Sequence, residues 1–201
     1  MKKTLAVATL ATAILLSGCS QVGAAATVGN VKITQATVQT SIDAILAARV
    51  GVDTSQMQLQ TGEELNRGQL RFHLLTELLR AAASELKIST SKAEIDTRRQ
   101  SIIEQIGGIK SLPAALVGAG IARDDFDKYI EAISLSDKIS QALITSGVAQ
   151  ADIGAAVQKI VVAKAKELGV TVNPRYGVWD AKIADVVALD SASSAVTPAT
   201  K

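Results

Sequence analysis

The sequence predicts a mainly α-helical domain, and three observations carry that expectation. Aromatic residues are scarce, with two Phe, two Tyr and one Trp in 201 residues, against abundant Ala, Leu, Ile and Val. Close-packed helices with small aliphatic contacts suit that composition better than a strand-rich sandwich. Apolar residues recur at helical spacing through most of the chain. Helix starts are marked by capping residues, in two places as a Ser/Thr followed three positions later by Glu.

Residues 1–18 read as an export signal outside that domain. Lys2 and Lys3 give a positive start, and residues 4–16 run without a charge. As a helix this stretch spans only about 20 Å, against roughly 30 Å of hydrocarbon, so it is too short for a comfortable membrane span. Leu16-Ser17-Gly18-Cys19 then resembles the lipobox of bacterial lipoproteins, whose cysteine receives a diacylglyceryl group before cleavage. The resemblance implies that Cys19 becomes the lipidated first residue of the mature chain, tethered outside the cytoplasmic membrane. Two other readings stay open. Cys19 is then a buried structural cysteine, or cleavage after Ala24-Ala25-Ala26 discards it and releases a soluble protein.

Charge and cysteine content narrow what is exported. Without residues 1–18, Lys+Arg falls from 21 to 19 and equals the 19 Asp+Glu. Neither a nucleic-acid surface nor a polybasic membrane patch is expected of a near-neutral chain. A lipidated Cys19 leaves no thiol pair, so packing alone must hold the fold in an oxidising compartment.

Residues 20–27 read as a polar, Ala-rich linker, and residues 28–33 as a short strand containing a turn. Thr34 caps a helix carrying Val38, Ile42, Ile45 and Leu46, which ends at Gly51. After a polar loop at 52–60, Thr61-Gly62-Glu63-Glu64 reads as a capping box opening a long helix. Its apolar stripe is Leu65, Leu70, Leu74, Leu75, Leu78, Leu79, Ala82 and Leu86. A second box, Ser91-Lys92-Ala93-Glu94, starts a helix with Ile95, Ile102, Ile103 and Ile106 that stops at Gly107-Gly108. Pro113, Gly118 and Gly120 break residues 109–122 into a helical turn and loop. Asp124 and Asp125 suit the positive end of a helix bearing Phe126, Tyr129, Ile130, Ile133, Ile139 and Leu143. A last helix over about 149–168 ends at Gly169, before a second strand Val170–Val172 halted by Asn173-Pro174. The Ala/Ser/Thr-rich remainder reads as a disordered tail.

The order strand, helix, long helix, capped helix, then Gly120-Ile121-Ala122-Arg123-Asp124-Asp125-Phe126 with Tyr129-Ile130, resembles the N-terminal chaperone domain of the SurA and PrsA foldases. The run Val172-Asn173-Pro174-Arg175-Tyr176-Gly177-Val178-Trp179-Asp180 is similar to the C-terminal signature of SurA-like lipoproteins from high-GC Gram-positive bacteria. The resemblance covers residues 28–180 and implies a SurA N-terminal-like helical domain closed by a two-stranded ribbon of 28–33 and 170–172. The chain departs from the pattern in two ways. Ala122 stands where Ser or Thr would cap, and no parvulin isomerase domain interrupts residues 145–150. His73 is the only histidine, so the resemblance implies no prolyl isomerase activity.

Other chemistry has little support in the residues. His73, among Leu70, Leu74 and Leu75, reads as a partly buried structural histidine. No Cys/His cluster and no phosphate-binding loop is present, so neither metal nor cofactor is expected. Glu63-Glu64 and Asp124-Asp125 are explained as helix-start carboxylates, and Asp96, Arg98 and Arg99 as a solvated face. Tyr176 and Trp179 either line a peptide groove or anchor the C-terminal segment on the helices.

The expected organisation is a signal at 1–18, an anchor and linker at 19–27, the helical domain at 28–180 and a disordered tail at 181–201. The expected function is that of a membrane-anchored holdase for unfolded or newly exported polypeptides, acting without ATP and not as an enzyme. Leu75, Leu79, Phe126, Tyr129, Tyr176 and Trp179 are the candidate client contacts. The alternative is an extracytoplasmic adaptor with one dedicated partner. A solute-binding lipoprotein would require a repeated βα pattern that the chain lacks.

Overall fold

A computed structural model describes residues 22–189. Residues 1–21, on which the expected export signal and Cys19 fall, and residues 190–201 lie outside the described residues. The described chain is mainly helical, 64% helix, with six α-helices and three short 3-10 turns.

The strand predicted at 28–33 is a hairpin that begins earlier, in the expected linker. β1 (Ala24–Val28) turns through Gly29-Asn30 into β2 (Val31–Thr34), with Val28 opposite Val31. Gly29 takes the turn at φ 55°, a conformation open to glycine at low cost. β3 (Val170–Val172) pairs with the other edge of β1, placing Val28 opposite Val170 in an antiparallel sheet of order β2-β1-β3. The expected ribbon is therefore three-stranded, with the Ala-rich segment at its centre. Ala24, Ala25 and Ala26 are all buried, and β1 rests on the long central helix. Alanine is a poor strand former, which hid β1 in the sequence, but its small side chain lets a sheet sit close to a helix.

Helix α1 (Gln35–Val50) starts where expected. Thr37 N–H donates to Thr34 Oγ1 at 3.0 Å, and Gly51 closes the helix. Val38, Ile42 and Ile45 are buried, whereas Leu46 faces outward. Helix α2 (Gly62–Glu85) starts after Thr61, but the hydroxyl makes no cap. Gly62 enters at φ 52°, and the Thr61 carbonyl takes the Glu64 and Leu65 N–H groups instead. α2 is the axis of the molecule. Leu65, Leu70, Leu74 and Leu78 are fully buried along it, and α1, α5 (Phe126–Thr145) and α6 (Ile153–Leu168) pack around it. Arg80 clamps α2 to α5 through two hydrogen bonds to Glu131, of 2.9 and 2.5 Å.

Helix α3 (Lys92–Gln105) carries the full Ser91/Glu94 capping box and contains no buried residue. α4 (Leu112–Ala119) is more regular than expected, because Pro113 stands in its first turn, where it costs no hydrogen bond. Gly120 ends it at φ 65°.

The expected tail also begins with structure. β4 (Val178–Asp180) pairs with β5 (Asp185–Val187), with Ala184 and Val186 buried. Three residues per strand and an Ala/Ser-rich continuation leave little periodicity to read, so the ribbon became visible only through its packing on α2.

Candidate functional site

Two features of the sequence bring polar groups into the interior. Ser41 lies on the apolar stripe of α1, between Val38, Ile42 and Ile45, and His73 lies between Leu70 and Leu74 on α2. Helical spacing then forces both side chains inward, toward the turn that precedes α5. Asp125 meets them there, and all three are buried, at 3, 6 and 6% exposure.

The hydrogen bonds fix the order of protons. Ser41 Oγ lies 2.5 Å from Asp125 Oδ2 and 3.0 Å from His73 Nε2, with the Thr37 carbonyl a weaker acceptor at 3.3 Å. A carboxylate only accepts, so the Ser41 proton goes to Asp125 and His73 Nε2 carries its own proton toward Ser41. Lys128 Nζ closes the cluster on Asp125 Oδ1 at 2.9 Å. Burial pushes the Asp125 carboxyl up, but the bonds from Ser41 and Lys128, with the nearby charges, outweigh it and hold the group below the ordinary aspartate range. Burial pushes the His73 imidazole down. The Asp125 charge opposes this shift, while Lys128 and Arg80 reinforce it.

This arrangement braces the fold without activating a nucleophile. Activation requires the histidine to accept from the serine and the carboxylate to hold the other ring nitrogen. Here the histidine donates to the serine, and the carboxylate is a weak base bonded to the hydroxyl itself. What the cluster does is tie α1, α2 and the start of α5 together beside an open groove of about 380 Å³ lined by Thr37, Thr40, Asp124 and Lys128. Asp125 is thus more than the helix-start carboxylate that the sequence suggests, and it makes no side-chain cap to α5.

Two further grooves border α5. One, of about 290 Å³, runs between α2 and the α4–α5 connection. Phe72 and Tyr129 line it, Gln60 and Arg71 add polar groups, and Gln69 Nε2 donates to the Gly120 carbonyl at 2.8 Å. The other, of about 510 Å³, follows the seam between α3 and α5 and is lined by Thr97, Arg98, Ser101, Ser134 and Asp137.

The six candidate client contacts are divided between two parts of the interior. Leu75, Leu79 and Trp179 are half-buried against the main core, which includes Tyr176 at 5% exposure. Phe126, at 6%, belongs to a separate cluster with Leu112, Leu116 and Ile130, and half-buried Tyr129 packs on it. Phe126 and Tyr176 therefore present no free surface in this structure, because each fills a core position that its neighbours require. Of the six, only Tyr129 lines one of the three grooves described. Sequence reasoning missed Ser41, Asp125, Lys128, Gln69 and Phe72. The one available signal was Ser41, a polar residue at a stripe position.

Residues 172–180 resolve into closure contacts. Asn173 N–H donates to the Ala25 carbonyl at 2.9 Å, its side-chain amide donates to the Ala24 carbonyl at 3.2 Å, and its Oδ1 accepts from Arg175 N–H at 3.0 Å. Tyr176 enters the core, and Gly177 passes against the Val187 carbonyl, leaving no room for a Cβ.

Among the described residues, no group of three or more His, Cys, Asp or Glu side chains is placed to hold a metal, and no helix is long and apolar enough to cross a membrane. The chain matches no family model, no curated protein and no solved structure.

Proposed function

We propose that this chain is a membrane-anchored extracytoplasmic lipoprotein that holds unfolded or newly exported polypeptides without ATP and without prolyl isomerase activity. The observation that carries this reading is the groove between α2 and the α4–α5 connection. Its half-buried Phe72 and Tyr129 offer apolar contact, and Gln60 and Arg71 supply donors at its edges. A short open groove of this kind accepts an apolar side chain while bonding the extended backbone around it, so many sequences can dock weakly. The resemblance to the SurA N-terminal domain points the same way, and the proton order at Ser41 favours a binding role over a hydrolytic one. The lipobox supports anchoring through Cys19.

The test is aggregation of several unrelated unfolded proteins with and without residues 20–201 at micromolar ratios, in the absence of nucleotide. Slower aggregation of most of them is expected, with no acceleration of prolyl peptide isomerisation. Protection of none, together with tight one-to-one capture of a single partner, would replace this reading with the dedicated adaptor.

A further inference from the structure

α3 covers an apolar cluster through contacts that are only half-buried. α3 has no buried residue, and its principal neighbours are α5 and the turn at Ile109–Ser111. Ile95, Ile102, Ile103 and Ile106 lie half-buried on Leu112, Leu116, Phe126 and Ile130. The rest of the attachment is electrostatic: Arg98 to Asp137 at 3.0 Å, Arg99 to Asp127 at 2.5 Å, and Lys138 to Glu94 at 2.6 Å. Exposed pairs of this kind hold weakly and are screened by salt. The seam between the helices is also open, along the groove of Thr97, Ser101 and Ser134.

Both ends of α3 are jointed. Before it, Lys87 turns at φ 57°, and the Thr90 hydroxyl is buried without a hydrogen-bond partner, a cost that opening would relieve. After it come Gly107 and Gly108 at φ 90° and 100°. The capping box lies wholly within the segment, so it travels with the helix.

We propose that α3 is a displaceable cover, and that the surface beneath it binds amphipathic polypeptide segments that carry a pair of basic residues beside an aliphatic stripe. What sits there now defines the ligand. α3 presents an aliphatic stripe flanked by two arginines, and once it leaves, α5 exposes Phe126 and Ile130 bordered by Asp127 and Asp137. A segment that replaces α3 must supply the same pattern, with an acidic residue near its start to meet Lys138 in place of Glu94. The inference deepens the holdase reading and rests on it for the identity of the ligand as a client.

The probe is a fluorescent synthetic peptide of residues 91–108. It is expected to bind residues 20–201, which hold every described element, and to bind the variant Arg98→Glu with Arg99→Glu at least tenfold more tightly, because that variant's own α3 is repelled. A peptide bearing the same two reversals should not bind the parent protein. Joining Arg98→Cys to Asp137→Cys with a short bis-maleimide should abolish binding while hydrogen exchange in α2 and α6 stays unchanged. Equal binding to the linked and unlinked proteins, or none to any form, overturns the proposal. Peptide binding without protection of any unfolded protein keeps the cover and its binding surface and overturns the holdase reading.

Discussion

The side-chain amide of Asn173 donates to the carbonyl of Ala24, joining residues 149 positions apart in the chain. The contact locks β3 and the residues that follow it onto the strand at the start of the domain. Asn173 also caps its own turn through Oδ1, so one side chain serves both the closure and the corner.

Asn173→Ala should therefore cost about 1–3 kcal/mol, read as a lowered urea midpoint. Asn173→Asp keeps the acceptor toward Arg175 but sets a carboxylate oxygen against the Ala24 carbonyl, so it should cost at least as much. Equal stability of Asn173→Ala and the parent would show that closure does not depend on this residue.

Gly177 has φ 132°, and an added Cβ would meet the Val187 carbonyl. Gly177→Ala should force β5 away from α2 and lower stability by about 2–4 kcal/mol. Early exchange of the β4 and β5 amides should accompany the loss.

The pH response of the fold should centre on one histidine. The imidazole of His73 is pushed below its usual 6.5, so between the two values the unfolded chain binds a proton that the folded chain does not. Stability is then full above about pH 6.5 and falls as pH drops from there through the folded value. His73→Gln should flatten that fall. Because His73 is the sole histidine, a single ring-proton titration in NMR reads its midpoint directly, and a midpoint above 6.5 would contradict the burial argument.

At the α3 seam, Lys138 holds the Glu94 carboxyl down to about 2 from 4.5, with help from the Ser91 N–H and hydroxyl. The depressed value means that the contribution is present above 4.5 and is lost as pH falls toward 2. Acidification through that window should lower the protection factors of the α3 amides ahead of those of α2. Glu94→Gln retains a cap-competent side chain and should reduce that loss of protection, leaving only what the Asp127 and Asp137 pairs contribute.

Cys19 lies outside the described residues, so the anchor needs its own measurement. Mass spectrometry of the mature chain is expected to find an acylated N-terminal Cys19, and Cys19→Ala should move the protein out of the membrane fraction. An unmodified N-terminus near Thr27 would instead indicate the alternative cleavage.

The helices were legible because their signals are local. Thr34 and the Ser91/Glu94 box mark starts through contacts three residues long, Gly51 and Gly169 mark ends, and the Leu stripe of α2 follows from a 3.6-residue period. Of the ribbon expected between 28–33 and 170–172, only Val28 pairs with β3, and Ala26 and Thr27 of the expected linker supply the rest. Tertiary structure decided what local signals do not contain. It made a central strand of three alanines, whose value lies in how closely they approach α2. It drew β5 out of an apparently featureless tail, and it turned Asp125 from a helix-start carboxylate into the partner of Ser41 and Lys128. It also took Phe126 and Tyr176 inside, since a lone aromatic in sequence has no stated neighbour, and whether it meets solvent or a core depends on residues far along the chain.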